Sequence, residues 1–379
     1  MAGIYIHIPF CRKACHYCNF HFSTSVKQMD AMIQAICKEA ELRHEYINES
    51  IGTIYFGGGT PSLLTIYDLR FTIDCLKNLF VMDKDAEITL EANPDDITEE
   101  KLNEWRTIGI NRLSIGVQSF FQEDLEWMNR VHNAQQALEN TQLARQAGFY
   151  NITIDLIYGT PSLTDDKWKQ NVETALSLNI PHLSCYALTV EPKTALEKMI
   201  ALKKMENINP DKQSHQFELL MQLMEEAGFE HYEISNFARP GYRSKHNSSY
   251  WQGKYYLGLG PSAHSFNGSS RQWNISNNSL YLKSIEQNII PCEAEQLTAV
   301  QKLNEYIMTS LRTMEGLSLT MVSKKWNTEA AEKITLQSKK FMQRELMFEK
   351  DDHLILTRKG KLFADGIAAE LFCEELFMV

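Results

Sequence analysis

Residues 3–21 read GIYIHIPFCRKACHYCNFH. Gly3 to Ile8 is rich in β-branched and aromatic side chains and reads as a buried strand. Immediately after it, Cys11, Cys15 and Cys18 are spaced C-x3-C-x2-C, so a single loop can turn three sulfurs inward. Thiolates suit soft metals and iron–sulfur clusters. Three of them occupy three corners of a cubane and leave one iron open, whereas a structural zinc site takes four ligands and closes. His7, His16 and His21 lie near enough in sequence to complete a zinc site, so spacing alone leaves that alternative open.

Outward from this stretch, strand-like runs at 51–56, 86–92, 112–117, 151–158 and 182–188 alternate with amphipathic stretches at 27–46, 66–79, 99–107, 134–147 and 165–178. Such alternation predicts βα units around a parallel sheet. A helix over 210–227 and a strand over 229–234 would continue the series. Polar and glycine motifs follow the strands at 11–18, 57–62, 91–94, 116–119 and 159–161, the loops where α/β barrels carry their chemistry. From about Thr298 the pattern changes to helices at 301–313 and 335–344, then to MFEKDDHLILTRKG, a β-hairpin turning at Asp351 and Asp352. The expected organisation is a partial (β/α)6 barrel over 1–290 and a small winged-helix-like α+β unit over 297–379.

At 379 residues the chain exceeds the size at which one core stops growing, in keeping with two units. A net charge of −10 and no basic block argue against a general nucleic-acid binder. With no apolar run long enough to span a bilayer and no leader-like start, the expected location is cytoplasmic. Cys37, Cys75, Cys185, Cys292 and Cys373 stand singly in apolar or helical surroundings and read as ordinary thiols, not as a disulfide framework.

The triplet, with Tyr17 just before its third cysteine, resembles the signature of the radical S-adenosylmethionine (SAM) family. The resemblance implies a [4Fe-4S] cluster on Cys11, Cys15 and Cys18, an open iron chelated by the methionine part of SAM, and one-electron cleavage of the sulfonium to a 5′-deoxyadenosyl radical. It further implies a cofactor pocket. Gly58, Gly59 and Thr60, where glycine lets the backbone approach closely, would meet the methionine amino group. Glu91 would bond the ribose hydroxyls, and Tyr5, Tyr17, Gln118, Arg130 and Asp155 would complete the set, with Arg130 suited to a carboxylate.

Over nearly its whole length the chain resembles the oxygen-independent coproporphyrinogen III dehydrogenase group, through YIHIPFC, GGGTPS, GVQSF, LIYGTP and EYIMTSLRTMEGL. Two branches separate here: the dehydrogenase, which converts propionates to vinyls, and haem chaperones. The dehydrogenase pattern carries another cysteine two residues after the third, where this chain has Phe20, and a longer N-terminal arm. In KHNSSYWQGKYYLGLGPSAHSF, His246, Tyr250 and Trp251 match the chaperones' haem-binding motif, with His264 a second candidate; imidazole is a normal haem ligand and aromatics can cover a porphyrin face. Without the resemblance, the same segment reads as a loop packed on the barrel. The implied partners are haem, a haem-accepting protein and an electron donor, with peripheral contact at the inner face of the membrane open for delivery.

Overall fold

Strands and helices alternate through the first half of the chain: β1 (Ala2–Ile8), α1 (Met29–Leu42), β2 (Ile51–Gly58), α2 (Ile66–Leu79), β3 (Met82–Ala92), α3 (Glu99–Thr107), β4 (Arg112–Gln118), α4 (Gln122–Trp127), α5 (Ala134–Gln146), β5 (Ile152–Tyr158), α6 (Asp165–Ser177) and β6 (His182–Ala187). The computed structural model describes residues 1–375. Each strand pairs in parallel with the next, in register Ile6 with Phe56, Phe56 with Leu90, Leu90 with Leu113, Ile115 with Ile154 and Ile154 with Leu183. These are the buried positions of near-continuous apolar runs, as strands covered on both faces require. Helix starts are set locally. Thr65 with Asp68 and Asn133 with Gln136 form reciprocal capping boxes at α2 and α5.

Beyond β6 lie α7 (Ala195–Ala201), α8 (Pro210–Glu226), β7 (Glu230–Glu233) and β8 (Asn236–Ala238). The expected continuation of the parallel series at 229–234 is corrected here. Two residues separate β7 from β8, too few for a crossover, so they form a hairpin, and β8 pairs antiparallel to β6 with Leu183 opposite Phe237. Helix α9 (Lys245–Trp251) then leads into β9 (Tyr256–Leu259), which returns to pair in parallel with the free edge of β1. Three antiparallel strands, β10 (His264–Phe266), β11 (Ser270–Asn274) and β12 (Cys292–Gln296), extend the sheet outward, with α10 (Asn278–Glu286) between the last two. Neither this extension nor the seventh parallel strand was expected from the sequence.

A buried polar hub ties α1 to that extension. Glu39 accepts from Arg43 at 3.0 Å, Tyr281 Oη at 2.6 Å, Asn274 Nδ2 at 2.7 Å and the Gly260 amide at 2.8 Å. Arg43 in turn donates to the Gly258 carbonyl, Ser265 Oγ and Gln272 Oε1.

The remaining elements are α11 (Ala299–Leu311), β13 (Leu317–Ser318), α12 (Leu319–Lys325), α13 (Thr328–Gln343), β14 (Met347–Lys350) and β15 (His353–Leu356), followed by two short helices. The strands form a separate antiparallel sheet in the order β13-β15-β14, and the β14–β15 hairpin turns at Asp351 and Asp352, both at positive φ as a tight hairpin turn demands. Helices plus this hairpin give the winged-helix-like α+β unit. One apolar core draws on residues 2–285 and another on 303–373. They meet where Arg312 pairs with buried Glu233 at 3.0 Å and the Ile234 amide donates to the Arg312 carbonyl. No helix among the described residues is long and apolar enough to cross a membrane.

Candidate functional site

The parallel strands end together, and their loops enclose a cavity of about 360 Å³. Its lining includes Cys11, Cys15, Tyr17, Cys18, Gly58, Gly59, Thr60, Glu91, Gln118, Arg130 and Asp155. The structure therefore gathers in one place side chains from five successive strand ends. Tyr5, His246, Tyr250, Trp251 and His264 stand outside the lining.

Short backbone ties hold the cysteine loop. The Gly59 amide donates to the Ile8 carbonyl at 2.9 Å and the Thr60 amide to Phe10 at 2.7 Å, lacing the glycine turn onto the end of β1. A Cβ at Gly59 would lie 2.5 Å from the Phe10 carbonyl, and Gly58 takes φ +102° with the His7 ring against it, so both positions require glycine. The Cys11 amide reaches Ser23 and the Ser23 amide returns to Pro9, closing the loop at its base. Its far side hangs on the end of α4 and the residues just after it: His16 Nδ1 contacts the Trp127 carbonyl at 2.9 Å, and Asn129 donates to the Ala14 carbonyl at 2.7 Å.

Arg130 is the central cation. It donates to Asn93 Oδ1 at 2.7 Å and the Gly116 carbonyl at 2.9 Å, lies 3.4 Å from Cys15 Sγ, and its buried Nε meets no protein acceptor. That spare donor beside three thiols is what an anionic ligand at the thiols would use. Burial pushes the Cys18 thiol up to about 11 and raises Cys11, so stable thiolates here need a metal partner. Among the described residues no three His, Cys, Asp or Glu side chains gather closely enough for a single ion. His7 Nε2 faces the His21 carbonyl and His21 Nε2 faces Asn278 Oδ1, so those rings have partners of their own. Three thiols on one loop beside a spare cationic donor fit a cluster that takes three cysteine ligands.

Across the cavity, burial pushes Glu91 up to about 8, against the hydrogen bond from Tyr55 Oη at 2.8 Å, and pushes Asp155 up to about 6. Ser114 Oγ lies 3.3 Å from Asp155. Gln118 adopts φ +66° where β4 breaks register, an uncommon conformation for a side-chain-bearing residue and one that turns the strand end toward the cavity. Sequence reasoning missed Tyr55, Asn93 and Ser114. Period-2 spacing of Thr53, Tyr55 and Gly57 on one face of β2 was the available signal for Tyr55.

The second expected site has a different geometry. His246 is 1% exposed, with Nδ1 2.7 Å from Thr53 Oγ1 and Nε2 2.8 Å from Tyr250 Oη. Tyr250 packs edge-on against His246 and Tyr256, and the Arg312 guanidinium covers the Trp251 ring at 5.2 Å. The structure thus holds His246 as a buried imidazole with both ring nitrogens partnered. His264 is exposed at the start of β10, near the Trp273 ring.

Residues 5–175 match the model of the radical SAM superfamily. The chain is 33% identical to the heme chaperone HemW of Bacillus subtilis, over 97% of this chain and 98% of that one. It is 35% identical to the HemW of Escherichia coli over 69% of each. Among solved structures, the coproporphyrinogen III oxidase HemN of Escherichia coli superposes with a TM-score of 0.84, covering 98% of this chain and 90% of that one, at 23% identity; this likeness shows the fold. A radical SAM half-barrel carrying its cysteine loop on the first strand, together with similarity to HemW over essentially the full length, leads to one conclusion: the chain belongs to the HemW family.

Proposed function

We propose that this protein binds haem and passes it to an acceptor protein in the cytoplasm, with a [4Fe-4S] cluster on Cys11, Cys15 and Cys18 and exchangeable SAM in the adjoining cavity. The observation that carries the choice of chaperone over dehydrogenase is Phe20, 66% exposed at the cavity mouth where the dehydrogenase pattern has a further thiol. A phenyl ring neither ligates metal nor supplies sulfur, whereas an apolar rim suits a flat tetrapyrrole. When bound, the cluster and SAM supply one-electron chemistry, fed by a separate donor. The chain's own residues bind and orient. The Gly58–Thr60 backbone would offer close approach, Arg130 and Gln118 would meet the methionine carboxylate, and Glu91 and Asp155 would accept from hydroxyl or amine donors.

The test is anaerobic reconstitution with coproporphyrinogen III, SAM and a reductant, run beside a haem titration. Saturable haem binding without carbon dioxide or protoporphyrinogen is expected. Catalytic formation of protoporphyrinogen would promote the dehydrogenase reading in its place.

If Glu91 holds the ribose, Glu91→Ala measured at pH 9, where the carboxylate is ionised, weakens SAM binding by about ten- to a hundredfold, the loss of one charge-assisted hydrogen bond, while the cluster still assembles. Unchanged affinity would reduce the carboxylate to a packing group. The same role sets a pH dependence. Glu91 is neutral below about 8 and ionised above it, and the ionised form is the stronger acceptor, so SAM affinity rises from pH 7 to pH 9. Calorimetric titrations across that range check the slope, which Glu91→Gln should flatten.

A further inference from the structure

The interior of the half-barrel beneath the cavity is filled by stacked rings. Tyr5 and Tyr55 lie side by side on adjacent strands, 6.1 Å between centroids. The His246 ring stacks on Tyr55 at 4.9 Å, with an interplanar angle of 24°. Tyr55 Oη donates to Glu91 Oε1 at 2.8 Å, at the cavity floor. A continuous contact therefore runs from the HNSSYW segment, through one tyrosine, to the carboxylate assigned above to the ribose.

The seat under His246 is built for it. Gly3 leaves the space: a Cβ there would stand 2.7 Å from Thr53 Oγ1 and 3.2 Å from His246 Nδ1. Gly57 does the same one layer higher, where a Cβ would come within 2.9 Å of both Tyr5 and Tyr55 and 3.1 Å of Glu91 Oε1. The His246 amide donates to buried Glu87 at 3.2 Å, and the side chain of Ser244 caps α9, so the helix carrying the ring is itself fixed. An axial ligand offers iron a free nitrogen lone pair. Here both ring nitrogens are engaged inside the protein, and freeing Nε2 would unpartner the Tyr250 hydroxyl.

We propose that His246 is a positioning residue for the cofactor pocket, holding Tyr55 and through it Glu91, and is not an axial ligand of haem. This rests on the reading of Glu91 as the ribose acceptor. His246 acts on SAM from the half-barrel interior beneath the cavity without touching it, and haem is held elsewhere.

The experiment measures SAM affinity by calorimetry and the haem Soret band on the same anaerobically reconstituted full-length variants. His246→Ala is expected to weaken SAM by about tenfold and leave the Soret band at its wild-type position. Tyr250→Phe keeps the ring and its volume but unpins Nε2; it should weaken SAM by about threefold and guards against misfolding of the alanine variant. Because both residues act through one contact, His246→Ala combined with Tyr55→Phe should bind SAM no more weakly than the worse single variant, a coupling that a general loss of stability would not produce. A shifted or erased Soret band in His246→Ala overturns the proposal, as does wild-type SAM affinity in His246→Ala and Tyr250→Phe while Glu91→Ala is weakened. Unchanged affinity in Glu91→Ala itself marks failure of the ribose reading, and the inference falls with it.

Discussion

Replacing any one of Cys11, Cys15 or Cys18 by alanine should abolish the broad brown absorbance of the reconstituted protein, whereas replacing Cys37, Cys75, Cys185, Cys292 or Cys373 should leave it intact. The three thiols share one loop and one cavity, with Arg130 beside Cys15. The other five are dispersed: Cys37, Cys185 and Cys373 are buried, and Cys75 and Cys292 are half-buried. Two remaining thiolates cannot hold a cubane against solvent, so the expected loss is of the whole cluster, not a graded weakening. Iron analysis and absorbance after anaerobic reconstitution read the outcome. A triple variant that retained four irons per chain would remove the assignment, and stoichiometric zinc in oxygen-free protein would return the mononuclear alternative.

The largest expected effect on stability lies far from the cluster, at Arg43. Its side chain is 3% exposed and that of Glu39 0%, so removing the guanidinium leaves a buried carboxylate without its counter-charge. Breaking a buried pair in this way costs about 3–5 kcal/mol. Arg43→Ala should therefore unfold at markedly lower urea, with amide exchange rising first in β9 to β11, which the hub joins to α1. Replacing both partners by apolar residues, as in Glu39→Leu with Arg43→Met, should recover only part of the loss: no charge is left behind, but Tyr281 Oη, Asn274 Nδ2 and the Gly260 amide lose their acceptor. A wild-type urea midpoint for Arg43→Ala would mean that the other three donors to Glu39 suffice.

Much of the parallel sheet was legible because its strands are apolar runs and its helices amphipathic. The α2 and α3 spans coincide with expectation, and β1 to β6 differ by a few residues at their ends. The β7–β8 hairpin was misread because strand direction depends on the partner, and Phe229 to Ile234 looks the same in either sense. Strand β9 escaped because YLGL is only four residues long, and its pairing with β1 spans some 250 positions. In the pocket, residues closing a recognisable motif were legible, while Tyr55, Asn93 and Ser114 matter only through neighbours on other strands. His246 shows the opposite case. HNSSYW reads as a haem-binding motif or as a loop packed on the barrel, and only the contacts of α9 with Thr53 and Tyr55 reveal the ring as buried.

The place of β1 in the sheet has a consequence for biogenesis. Although its residues leave the ribosome before either partner strand, β1 is hydrogen-bonded on one edge by residues 51–58 and on the other by residues 256–259. During synthesis the cysteine loop therefore emerges long before the strand that bears it is enclosed. Arg130 follows only after a further hundred residues, and β9 after two-thirds of the chain. Such long-range closure is slow and leaves sheet edges open in the meantime. The three thiols of this loop are thus solvent-accessible for most of translation, and a nascent chain halted before residue 256 would present them on an unfinished sheet.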